Sequence, residues 1–138
     1  MTRVVVDTSA LVAVLLGEPE REAFHRTLLA NEPVMSAVSV AEAWMVAQGR
    51  LGAGAVAEVD GFVADYRVEV VPVTADDLAT VRQGILDYGK GRGAEPAVLN
   101  FGDVFAYAIA KRLGVPLLFK GDDFARTDVT PAAPGAGG

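Results

Sequence analysis

Near the start of the chain a run of three valines, Val4-Val5-Val6, ends on an acid, Asp7. Consecutive β-branched residues make a strand buried on both faces, the kind found in parallel sheets. Parallel neighbours cannot be joined by hairpins. Each pair needs a crossover of a dozen or more residues, usually a helix. A chain that opens this way therefore has to alternate strands with helices. The rest of the sequence does so. A strand over residues 3–7 leads to a helix over residues 8–16, capped by Thr8 or Ser9 and stopped by Gly17. Pro19 opens a second helix, to about residue 30, and residues 33–36 form a second strand. Ser39 and Glu42 match the S-x-x-E capping box and predict a helix to about residue 48. Residues 52–66 read as another helix, and residues 68–73, with four valines, as a third strand. Thr74 and Asp77 open a helix to about residue 88. A glycine-rich loop over residues 89–102 carries Lys90, Arg92 and Glu95. A helix over residues 102–113 ends at Gly114, residues 117–119 form a last strand, and residues 121–124 a turn.

Strands separated by helices predict βαβ units and a mostly parallel sheet covered on both faces. In such sheets ligands bind at the carboxyl ends of the strands. Asp7 ends the first strand, and Asp122 and Asp123 follow the last, so all three fall on the binding edge.

Composition narrows the chemistry. With 138 residues, half of them hydrophobic, the chain suits one domain with a real core. It has no cysteine, which excludes disulfides, thiolate metal sites and cysteine nucleophiles. Its single histidine, His25, lies in a polar helix and is expected at the surface without a catalytic role. A site built on several imidazoles is excluded. Eighteen carboxylates remain, and they point to oxygen ligands and hard divalent cations. The longest unbroken apolar run, Ala10 to Leu16, is seven residues against the ~20 that span a bilayer. No basic stretch followed by an apolar one opens the chain, so a cytoplasmic protein is expected. Residues 130–138, rich in Pro, Ala and Gly, read as a disordered tail.

Five acids stand out. Asp7 beside three valines is costly unless compensated, although Asp is also a favoured helix cap. Glu42 either completes the capping box or stands as a lone acid among Val40, Ala41, Ala43, Trp44 and Met45. Asp103 opens a helix that is apolar almost all round, so it is either a cap or a ligand held on a rigid element. Asp122 and Asp123 are adjacent in a turn, where Asp is common, yet neighbouring carboxylates repel and a cation relieves the repulsion. Acids gathered on one sheet edge need positive charge. Mg²⁺ or Mn²⁺ supplies it and can activate water against a phosphodiester with no histidine or cysteine.

At these residues the chain resembles the PIN-domain ribonucleases, and among them the VapC toxins of type II toxin–antitoxin modules. The segments that carry the likeness are Val6-Asp7-Thr8-Ser9-Ala10-Leu11, Ser36-Ala37-Val38-Ser39-Val40-Ala41-Glu42, Asn100-Phe101-Gly102-Asp103-Val104-Phe105-Ala106-Tyr107-Ala108, and residues 117–128 around Lys120-Gly121-Asp122-Asp123-Phe124. They occur in the family's order over residues 1–129. The resemblance implies a three-layer α/β/α fold with a mostly parallel central sheet. It implies a metal-dependent endoribonuclease that cleaves single-stranded RNA with Mg²⁺ or Mn²⁺. Asp7, Glu42 and Asp103 fall on the three acids common to that site, with Asp123 as the fourth and Asp122 in reserve. Ser9 falls on a small hydroxyl residue near the metal, with Thr8 beside it. Homodimers and a VapB-type antitoxin that blocks the acidic site are also implied.

The net charge of −6 stands against an RNA-binding role until the cations are mapped. Six of twelve lie between Lys90 and Arg126. Lys90, Arg92, Lys120 and Arg126 are candidate phosphate contacts, whereas Lys111 and Arg112 suit the C-terminal end of their helix. Phe24, Trp44 and Tyr107 read as packing rather than base-stacking residues. Three other readings compete. A receiver domain needs a phosphorylatable Asp ending a middle strand, where Pro72-Val73-Thr74 stands. An aspartyl-phosphate phosphatase places a second acid two residues after the first, where Ser9 stands. A non-catalytic partner-binding module has no need of all these acids.

Overall fold

The structure is a computed structural model that describes residues 2–89 and 99–132. Lys90 and Arg92, and the tail beyond residue 132, lie outside the described residues. Four strands, β1 (Arg3–Val6), β2 (Glu32–Ser36), β3 (Glu69–Val71) and β4 (Leu117–Leu118), form one sheet in the order β3-β2-β1-β4. Every pairing is parallel, with Val5 opposite both Val34 and Leu117. The helices are α1 (Thr8–Leu15), α2 (Arg21–Ala30), α3 (Ala37–Leu51), α4 (Ala55–Asp65), α5 (Leu78–Tyr88) and α6 (Phe101–Leu113).

The two-residue period of the strands divides the core. Val4, Val6, Met35 and Leu118 face one cluster with the apolar sides of α1 to α4. Val5, Val34, Leu117 and Phe119 face the other, with α6, Val81 of α5 and Phe124. Each of these fully buried side chains contributes about 1.5–3 kcal/mol by leaving water. The result is helix, sheet and helix in three layers, as the alternation of elements predicts. Phe24 and Tyr107 are buried in these clusters, while Trp44 is partly exposed and donates from Nε1 to Asp60 at 2.9 Å.

Four local features differ from the sequence reading. First, α3 starts at Ala37, not Ser39. Its cap is Ser36, whose Oγ accepts from the Ser39 N–H at 2.9 Å. Ser39 is thus already inside the helix, and no Ser39–Glu42 box forms. Second, α1 is capped not by Thr8 or Ser9 but by Asp7, in the cap role its residue type favours, through the Ser9 N–H. Third, α6 is capped by Asn100, with Asp103 as the other half of a capping box. Fourth, His25 is half-buried, its Nδ1 hydrogen-bonded to the Tyr66 hydroxyl. The Thr74–Asp77 box forms as expected, on a 3₁₀ turn before α5. Thr130 and Ala132, assigned to the tail by composition, pair with Leu117 through backbone hydrogen bonds of 2.9 Å.

Lys111 and Arg112 both find acids from the end of α6. Lys111 reaches Asp128, and Arg112 reaches the buried Asp77 at 2.8 Å and the Pro72 carbonyl. Removing one partner of a pair with a buried charge costs about 3–5 kcal/mol, so Arg112 braces α6 against the start of α5.

Candidate functional site

The carboxyl end of β1, the starts of α1 and α6, the middle of α3 and the turn after β4 enclose an open cleft of about 390 Å³. Asp7, Glu42, Asp103 and Asp123 all line it. Four acids spread over 117 positions of sequence are thereby brought to one place.

Asp7 is 2% exposed. Its Oδ2 accepts from the Ser9 N–H at 2.9 Å, while its Oδ1 is buried with no hydrogen-bond partner. An orphaned buried oxygen costs about 1–3 kcal/mol. Burial pushes the Asp7 pKa up to about 6, against the pull of the Ser9 hydrogen bonds. Asp103, 6% exposed, holds the Asn100 N–H with Oδ2 at 3.0 Å, and the Asn100 side chain returns the bond to the Asp103 N–H. Burial, and then the charge of Asp7, raise the Asp103 pKa to about 8; Asp123 and Glu42 add to the effect. Both acids are therefore costly to charge as they stand.

Glu42 is half-buried on α3 and faces the first turn of α6. Released from the capping box, its carboxylate is free to serve the cleft. Asp123 is exposed on the turn and lines the cleft, whereas Asp122 is exposed and does not. The hydroxyl residues act as braces. Thr8 donates to the Ser39 carbonyl at 2.9 Å, tying α1 to α3. Ser9 Oγ accepts from the Lys120 N–H at 3.0 Å, tying α1 to the segment after β4. Lys120 lines the cleft with its ammonium 3.3 Å from both Glu18 and Glu20, so its charge is already shared. Arg126 is exposed and stands apart from the cleft lining.

Sequence reasoning missed Arg50, a cation in the last turn of α3 that lines the cleft, and no local signal marks it. It also missed Asn100, although Asn100-Phe101-Gly102-Asp103 has the spacing of a capping box.

The donors fit a hard divalent cation. They are all carboxylate oxygens, two of the acids are raised by burial and by the charges of neighbouring acids, and one oxygen has no partner. Among the described residues no three acids are drawn into a closed ligand cage. Mg²⁺ is usually held by one or two carboxylates with waters retained, which suits acids spread around an open cleft.

Comparison with known proteins places the chain in a family. The PIN domain family model matches residues 4–129. VapC ribonuclease Mb0640 of Mycobacterium bovis is 42% identical over 130 residues, covering 94% of this chain and 98% of that protein. Ribonuclease VapC of Mycolicibacterium smegmatis is 44% identical over 127 residues, covering 91% and 96%. Among solved structures, Mycobacterium tuberculosis VapC20, described as a Sarcin-Ricin loop cleaving toxin, superimposes with a TM-score of 0.76 at 18% identity, covering 95% of this chain and 99% of that one. VapBC2 from Rickettsia felis, bound to a DNA fragment from its promoter, gives 0.71 at 15% identity, covering 94% and 96%. At these identities the structural likeness speaks to the fold. Among the described residues no helix is long and apolar enough to cross a membrane.

Proposed function

The chain belongs to the PIN-domain family and to its VapC ribonucleases, and from that premise we propose that it is the endoribonuclease toxin of a VapBC-type module, acting on RNA with the acids of this cleft and a divalent cation. The carrying observation is the placing of Asp7 and Asp103, two buried acids on different elements, around one opening, where burial raises both and the charge of Asp7 raises Asp103 further. A structural cap needs no second acid pressed against it.

Asp7 and Asp103 would hold Mg²⁺ or Mn²⁺, with Glu42 and Asp123 completing the site. The ion, when bound, supplies positive charge on the phosphate and a water activated for attack on phosphorus. The rest falls to the chain. Ser9 and Asn100 fix one oxygen of each buried acid, so that the carboxylates are oriented before substrate arrives. Arg50 and Lys120 offer cations at the cleft, and Lys90 and Arg92 are further candidates for phosphate contact. Asp123 is favoured over Asp122 as the fourth acid because it alone of the two lines the cleft.

The test is cleavage of a labelled small-RNA pool with Mg²⁺, Mn²⁺ or EDTA. Discrete products are expected with either metal and none with EDTA or with Asp7→Asn. Asp123→Asn should slow cleavage by about 10-fold or more, and Asp122→Asn by less than about 2-fold, since only the former alters the charge at the cleft. Metal-independent products would remove the mechanism.

A VapB-type antitoxin partner and a homodimer belong to the same reading. The VapBC complexes among the structural neighbours support the first. Met45, 78% exposed on α3 with Trp44 and Leu51 also partly exposed, supports the second. Light scattering at high concentration should give twice the chain mass. A monomeric mass would remove the dimer.

A further inference from the structure

Gly102 occupies the second position of α6, directly before Asp103. Glycine is a poor choice there on conformational grounds, since it loses more freedom in a helix than alanine does. Its φ lies outside the left-handed region, so the backbone conformation does not call for it. Its surroundings do. A Cβ built at Gly102 would fall inside the carboxylate of Glu42, and the three nearest atoms to it are Oε2, Cδ and Oε1 of that one group. The first turn of α6 therefore has a missing side chain where an acid from α3 lies.

We propose that Gly102 is a positioning residue for the cleft, the gap in α6 that seats the Glu42 carboxylate beside Asp103. This rests on the reading of the acids as an ion-holding site. Glu42 comes from a neighbouring helix and has a three-carbon reach, so nothing in α3 alone fixes where its carboxylate rests. The bare Cα of Gly102 does. Any side chain there turns the carboxylate away from the cleft. The obstructing group is the tip of a flexible side chain, so the fold can absorb the change by letting Glu42 swing out. Loss of site geometry without loss of fold is thus the expected signature.

The experiment is a double-mutant cycle of Gly102→Ala and Glu42→Ala on the purified chain. It reads Mn²⁺ binding by calorimetry, Tm in EDTA, and RNA cleavage. Gly102→Ala should keep its circular dichroism, weaken Mn²⁺ binding by about 10-fold and slow cleavage by about 30-fold. In the Glu42→Ala background the same change should leave Mn²⁺ binding where it was and raise Tm, because alanine is then an unobstructed helix former. A Gly102→Ala variant that fails to fold alone but folds with Glu42→Ala supports the proposal equally. Unchanged Mn²⁺ binding in Gly102→Ala overturns it, as does an equal Tm change in both backgrounds. If the unmodified chain binds no Mn²⁺, the ion-holding reading fails, and the Tm cycle still decides whether Gly102 makes room for Glu42.

Discussion

Asp103→Asn is expected to slow RNA cleavage by about 10³-fold and at the same time to make the metal-free protein more stable, not less, at pH 8. The two effects have one cause. Asn keeps a side-chain oxygen that can accept from the Asn100 N–H, so the capping box that starts α6 survives. What it removes is a charge in a place where burial and the neighbouring Asp7 make charge expensive, as the rise of Asp103 to about 8 records. Relief of that strain should be worth about 2 kcal/mol in EDTA. For catalysis the same charge is what holds the ion, and loss of one preorganised electrostatic partner typically costs 10²–10³-fold or more. Thermal unfolding in EDTA beside the RNA assay makes the distinction. An Asp103 that only capped its helix would give a variant that cleaves normally. A variant that is inactive and also destabilised would mean that the carboxylate supports the fold and that its charge is not under strain.

The same acid shows why sequence reading takes the fold further than the site. Three valines ending in Asp7, and glycine-bounded helices after them, are enough to demand a parallel sheet with both faces covered, because backbone pairing leaves few alternatives. Roles at the cleft are different. For Asp7 and Asp103, cap and acid are rival readings in sequence but compatible in space, since a carboxylate has two oxygens. One caps, and in Asp7 the other is left without a partner. For Glu42 the misreading came from two serines three residues apart, Ser36 and Ser39, each a credible cap. The strand end decides in favour of Ser36, and register of that kind is not written in a capping motif. Gly102 is silent in sequence because its reason lies 60 residues away in Glu42. Arg50 is silent for a similar reason, being one basic residue at a helix end. The net acidity that argued against an RNA substrate has a local explanation. Five of the acids, Glu18 among them, line one cleft, and Lys120 at its edge is already shared between Glu18 and Glu20. An ion bound among those acids would offset much of the negative charge that an approaching phosphate meets.

That offset should be measurable without any RNA. In EDTA the protein is expected to lose stability steadily between about pH 4 and pH 8. The sign follows from the two buried acids. Unfolded, Asp7 and Asp103 release their protons near the ordinary value of 3.8; folded, they hold them to about 6 and about 8. Between those limits the folded state binds more protons than the unfolded one, so stability falls as pH rises. Their contribution is fully present below about pH 4 and is lost as pH passes through 6 and then 8. Asp128, lowered by Lys111 and Tyr107, works in the opposite sense but at the acid end, below 3.8, outside this window. With saturating Mg²⁺ or Mn²⁺ the slope should flatten. The cation binds only the deprotonated acids, so its stabilisation grows with pH, to about 2.7 kcal/mol at a hundredfold excess over Kd. The EDTA and metal curves should coincide near pH 5 and separate by several degrees at pH 8. Asp7→Asn and Asp103→Asn should each flatten the EDTA curve and narrow the separation. Curves that coincide across the whole range would mean that these acids hold no ion. An EDTA curve that climbs with pH would mean that their charges are already compensated by the protein, leaving no strain for a cation to relieve.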